Sequence, residues 1–122
     1  MKRSLVSAEK VLAPDAQQLA DTLTVHGFAF NRKGEPRRAL PLLERALKVR
    51  LAGMAGASDS SWTKLELARA LWDTRADRAR ARRLAEESLA EARSIEHKEG
   101  VEAAEEWLAG LASKRKRRAH PD

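Results

Sequence analysis

No cysteine occurs in the chain, which removes disulfide staples, thiolate metal sites and a cysteine nucleophile together. β-branched residues are sparse, and no apolar/polar alternation marks a strand. Four prolines and six glycines leave long stretches unpunctuated, and Ala, Leu, Arg and Glu fill them, a helix-forming composition. No run of about 18 apolar residues occurs, the length a membrane-spanning helix requires. Met1-Lys-Arg-Ser-Leu-Val carries basic residues without a sustained apolar stretch behind them, so no signal peptide is expected and the cytoplasm is the default compartment.

Chemical motifs are missing as well. His26, His97 and His120 are dispersed, with no His/Asp/Glu group at metal-ligand spacing. Gly34-Glu-Pro and Gly53-Met-Ala-Gly56 lack the Gly-Lys-Ser/Thr of a phosphate-binding loop, and no serine sits in a Gly-x-Ser-x-Gly elbow. No catalytic, cofactor-binding or metal-binding residue is therefore assigned, and the chain is not expected to be an enzyme.

What is present is a repeat. Leu23-Thr-Val-His-Gly-Phe-Ala-Phe30 aligns with Leu65-Glu-Leu-Ala-Arg-Ala-Leu-Trp72, and Ala39–Leu47 aligns with Ala81–Leu89, at a constant offset of 42 residues. One further step carries Leu65 to Trp107. A fixed period in this range is the mark of a solenoid of stacked helix pairs. With 43% apolar and 34% charged residues, the 122-residue chain suits a thin, two-layer helical stack. The fold class predicted is all-α, an α-solenoid of antiparallel helix pairs forming a superhelix of about six helices.

The predicted organisation is a partial helix in 1–13, one repeat in 14–55, a second in 56–97, a capping helix in 98–113 and a basic disordered tail in 114–122. Pro14-Asp15 reads as a break, with Asp15 the N-cap of a helix over 16–32 that carries Leu19, Leu23, His26 and Phe30 on one face. Lys33-Gly34-Glu35-Pro36 is a turn into a helix over 36–53, with Ala39, Leu42, Leu43, Ala46 and Leu47 as its apolar stripe. Residues 53–60 read as a linker, followed by helices from about 60 to 75, 78 to 95 and 101 to 113, with Asp77 a candidate N-cap.

These residues resemble the tetratricopeptide repeat family. Its pattern of an aromatic or Leu, then Leu-Gly, then Tyr or Phe reads here as Leu23-x2-His26-Gly27-x2-Phe30. Its turn glycine is met by Gly34, and its small/large/small triplet by Ala39, Leu43 and Ala46. The second copy departs from it at Arg69, Ala76 and Ser88, which stand where a small residue, the turn glycine and alanine belong. The 42-residue period is similar to the longer-helix variant of kinesin light chains and many bacterial relatives. The resemblance implies that first helices line a concave groove, and by register Thr24, Phe28, Asn31, Arg32, Glu66, Ala70 and Asp73 should face it. Thr24/Phe28 and Glu66/Ala70 occupy the places where the carboxylate-clamping subfamily has Lys and Asn, so a chaperone-tail clamp is not implied. The function implied is a non-enzymatic scaffold that holds a peptide or helix of a partner protein.

A rival reading starts from charge. The net charge of +6 is concentrated in Lys114, Arg115, Lys116, Arg117 and Arg118, leaving the remainder close to neutral. Arg75, Arg78, Arg80, Arg82 and Arg83 cluster at a helix start, where the macrodipole disfavours them. Together these could hold nucleic acid or an acidic partner. Finally, Leu5, Val6, Val11 and Leu12 would leave an apolar edge on the leading helix, which is expected to dock on another copy of the chain or on a further upstream repeat.

Overall fold

The computed structural model describes residues 12–53 and 57–119, with side chains described over 16–53 and 59–111. The described residues form five helices and no strand: α1 (Leu12–Arg32), α2 (Pro36–Ala52), α3 (Ala57–Thr74), α4 (Arg78–Ser94) and α5 (Lys98–Ala119). Consecutive helices pack on each other through short turns, as antiparallel neighbours do. The first helices of successive pairs, α1, α3 and α5, also touch, whereas α2 and α4 do not meet through their backbones. The result is an α-solenoid with first helices close together and second helices splayed. The leading helix expected in 1–13, with its apolar edge, lies outside the described residues apart from Leu12 and Ala13, which belong to α1.

The α1 start differs from expectation. Pro14 and Asp15 are helical, because a proline in the first turn removes only an N–H that has no intrahelical partner. Its buried stripe is Ala16, Ala20, Leu23, Thr24 and Gly27, while Leu19 and His26 are exposed on the flank that neither α2 nor α3 covers. α2 begins with Pro36 and buries Ala39, Leu43, Ala46, Leu47 and Arg50 along one face. α3 is central, touched by all four other helices, and buries Ser60, Ser61, every residue from Thr63 to Ala68, Ala70 and Leu71. Ala57 to Ser60, expected as linker, are its first turn.

One backbone device ends three helices. Gly34 (φ 78), Arg75 (φ 61) and Glu96 (φ 54) adopt the left-handed conformation. The following amides, Glu35, Ala76 and His97, donate to the carbonyls of Phe30, Leu71 and Ala92. The left-handed residue of the second turn is thus Arg75, not the register partner Ala76: α1 and α3 end in register, at Arg32 and Thr74, but the left-handed residue follows α3 directly and α1 only after Lys33. Asp77 caps α4 as expected, its carboxylate accepting from Arg80 N at 2.9 Å. His97 caps α5, with Nδ1 accepting from Gly100 N at 3.0 Å. That cap starts α5 at Lys98 rather than 101. At its far end the backbone stays helical to Ala119, past the disordered tail predicted from 114, since Lys, Arg and Ala sustain a helix and cations suit its C-terminus.

The core runs through Leu43, Leu47, Leu65, Leu67, Leu71 and Leu84, interleaved with alanines, with Phe30, Trp72 and Trp107 packed at its margin. Trp72 meets Trp107 edge-on at 6.0 Å, tying α3 to α5. Polar seams supplement it. Ser61 Oγ donates to Ser88 O at 2.9 Å and Ser88 Oγ to Ser61 O at 2.7 Å, a reciprocal pair between α3 and α4. The Ser88 that looked like a lapse in the repeat is one half of it. Lys64 is buried beside the Glu91 and Glu87 carboxylates, the latter at 3.2 Å. Burial alone would lower its pKa, but the hydrogen bonds it donates to Glu91 and Glu87, together with their charges, outweigh that and raise it. A third seam joins three helices: Arg50 Nε donates to Thr63 Oγ1 at 2.7 Å, Arg50 Nη2 to Asp21 Oδ1 at 2.7 Å, and Thr63 Oγ1 lies 2.9 Å from Thr24 Oγ1.

Candidate partner-binding faces

Two surfaces collect the residues singled out by the sequence. The first is the flank shared by α1 and α3. Helical spacing puts Val25, Phe28 and Arg32 on one stripe of α1, and Trp62, Glu66, Arg69 and Asp73 on one stripe of α3. The Phe28 and Trp62 rings meet at 6.1 Å, tilted by 58°. Arg32 lies 5.5 Å above the Phe28 ring. Trp62 remains 37% exposed and Val25 49%, so the pair and its neighbour form an apolar surface rimmed by charge.

Of the seven residues expected in the groove, Phe28, Arg32 and Asp73 lie on this face. Thr24 and Ala70 do not, being fully buried. Thr24 donates to Ala20 O at 2.7 Å and meets Thr63, because the α1 flank that carries it is the one that packs on α3. Asn31 and Glu66 sit at the seam: Asn31 Nδ2 donates to Glu66 O at 3.1 Å and to Glu66 Oε1 at 3.0 Å. Glu66 is buried, and burial raises its pKa. The Asn31 hydrogen bond and the nearby Arg69, whose Nε is 3.6 Å from Glu66 Oε2, oppose that rise without cancelling it. Val25, Trp62 and Arg69 were missed, although Trp62-x3-Glu66-x2-Arg69-x3-Asp73 is itself a helical stripe that could have revealed them.

The second surface is the end of the stack where α1, α3 and α5 finish and α2 and α4 begin. Arg78 stacks 4.5 Å above Trp72, while Lys33 and Arg38 both lie over Phe30, at 5.8 and 5.6 Å. Arg80 makes a bidentate pair with Glu44, at 2.6 and 2.9 Å, bridging the splayed α2 and α4. That pairing raises the Arg80 pKa. Arg37, Arg75, Arg82 and Arg83 form no salt bridge among the described residues. Residues 114–118 are carried to this end by the α5 backbone.

Among the described residues no group of three His, Cys, Asp or Glu could hold a metal ion, and no helix is long and apolar enough to cross a membrane. Set against models of protein families, curated proteins and solved structures, the chain matches none of them.

Proposed function

We propose that the chain is a tetratricopeptide-like protein–protein interaction module: a non-enzymatic, cytoplasmic scaffold whose α1/α3 flank receives a peptide or helix of a partner protein. The observation that carries this reading is the exposed Val25–Phe28–Trp62 surface. Large rings left in water at the seam of two packed helices give a partner side chain a place to desolvate, and interface hot spots favour such rings. Arg32, Arg69 and Asp73 around it would select polar neighbours on the ligand. The reading keeps Phe28, Arg32 and Asp73 of the expected groove and replaces Thr24 and Ala70 with Trp62 and Arg69.

Peptides selected from a random display library on the intact protein test this reading. They should lose most of their affinity for the Phe28→Ala/Trp62→Ala variant while that variant keeps its helical circular dichroism. A library that yields no binders, or binders indifferent to the double substitution, would overturn it.

A further inference from the structure

The basic residues look scattered along the sequence, and the tail appears to hold most of the excess. The fold redistributes them. The segments that meet at the α1/α3/α5-terminal end, residues 28–41, 70–83 and 112–119, hold fourteen Lys and Arg against three Asp and Glu. The remaining residues hold ten against fifteen. Residues 84–111, the last part of α4 and the first part of α5, contain eight Glu against Arg93 and Lys98 alone. The molecule is therefore strongly polarised along its helix axes, one end basic and the opposite end acidic on the α4/α5 side.

Nothing in folding requires this arrangement. Neither α2 nor α4 has an acidic residue in its first turn, where one would be favoured, and both place arginines there against the helix dipole. Among the described residues Arg37, Arg75, Arg82 and Arg83 form no salt bridge, and Arg32, Lys33 and Arg78 lie over rings, whereas Arg38 and Arg80 pair with Glu35 and Glu44. A cleft of about 510 Å³ between the two turns is lined by Arg37, Arg38 and Arg75, with Glu35 and Asp73. Like charges held together without neutralisation destabilise the isolated fold, so the end is built to meet an anion.

We infer that this end docks on the phosphate backbone of double-stranded nucleic acid, without reading its sequence. Helices pack about 8–10 Å apart, so the row from α1 to α5 spreads its cations over about 20 Å. A duplex carries one phosphate charge per about 1.7 Å of axis, so that span faces about a dozen phosphates, a match for many dispersed cations rather than one acidic side-chain cluster. The rings at this end, Phe30 and Trp72, are capped by Lys33, Arg38 and Arg78. Among the described residues of this end, Phe28, Phe30 and Trp72 each have a cation over the ring, which leaves no bare platform there for base stacking and favours a duplex over a single strand. The acidic α4/α5 side would be repelled and so point away, orienting the stack with its α1/α3 flank beside the duplex.

Fluorescence anisotropy of the full chain with a labelled duplex of about 20 base pairs tests the inference. With six or more phosphate contacts, affinity should fall by about 1,000-fold or more between about 50 and 200 mM salt. The Arg75→Glu/Arg82→Glu/Arg83→Glu variant should lose at least about 100-fold while keeping wild-type helicity, and Lys98→Glu at the other end should change affinity little. Indifference to the triple reversal combined with complete loss on deleting 114–122 would mean the terminal basic run alone binds, and the inference fails. It fails equally if polyglutamate, or vesicles of anionic phospholipid, compete more strongly per unit charge than unlabelled duplex.

Discussion

A Cβ added to Gly27 would lie 2.5 Å from both Cγ and Cδ2 of Leu43. Leu43, fully buried, fills the space that the missing Gly27 side chain leaves. One period later the pair is inverted: Arg69 stands at the place of Gly27 and the fully buried Ala85 at that of Leu43. Small and large exchange helices, so the second pair can close without a glycine. Gly27→Ala should therefore destabilise by about 1–3 kcal/mol through overpacking. Leu43→Ala alone should cost about 2–5 kcal/mol. The double variant, which imitates the second pair, should cost at least about 1 kcal/mol less than the sum in urea denaturation. Strict additivity would show that the two side chains do not compete for one space.

Thr63 holds the three-helix seam, accepting from the buried Arg50 guanidinium. Thr63→Val keeps the shape but leaves a charged donor unpaired, and should cost about 1.5–3 kcal/mol. Thr63→Ser restores the hydroxyl and should recover most of that loss. Equal destabilisation by both variants in thermal melts would assign the effect to packing.

Glu96 adopts a conformation that costs an L-residue with a side chain about 1–2 kcal/mol, and its side chain is exposed. Removing a carboxylate from the end of α4 also relieves an unfavourable interaction with the dipole. Glu96→Gly should raise stability by about 0.5–1 kcal/mol, visible as a melting temperature higher by a few degrees. Gly34→Ala, at φ 78, should move it the other way.

Glu66 gives a pH dependence with a definite sign. Its folded pKa is raised, chiefly by burial, so the folded state holds its proton more tightly than the unfolded chain. The group then contributes no penalty below its unfolded pKa, and its contribution to stability is lost as pH rises through the folded one. Glu66→Gln, which retains an acceptor for Asn31, should melt higher than wild type at neutral pH. That advantage should shrink as pH falls toward the ordinary glutamate value. A difference independent of pH would show that Glu66 titrates normally.

The pairing of helices and most of their ends were legible in the chain, because a 42-residue period and turn residues such as Gly34, Pro36 and Asp77 act locally. Individual orientations were not. Register alone placed Thr24 and Ala70 in a groove, yet which flank of α1 meets α3 depends on how the helices pack. Nothing in the sequence marks Arg50 for burial, yet the structure buries it against Thr63 and Asp21. The basic end was legible only in part: the arginines from 75 to 83 and the 114–118 run stood out, but residues 28–41 join them only because alternate helices run in opposite directions.

The Ser61–Ser88 pair has a mechanical consequence. Sliding α4 along α3 by one turn, about 5.4 Å, would take two buried hydroxyls away from the carbonyls that receive them. Oily contacts between alanines and leucines resist such a slip only weakly, since one small apolar residue substitutes for the next. Two matched hydroxyls act instead as a detent that fixes the vertical alignment of the pair, and with it the height at which Arg78 of α4 meets Trp72 of α3.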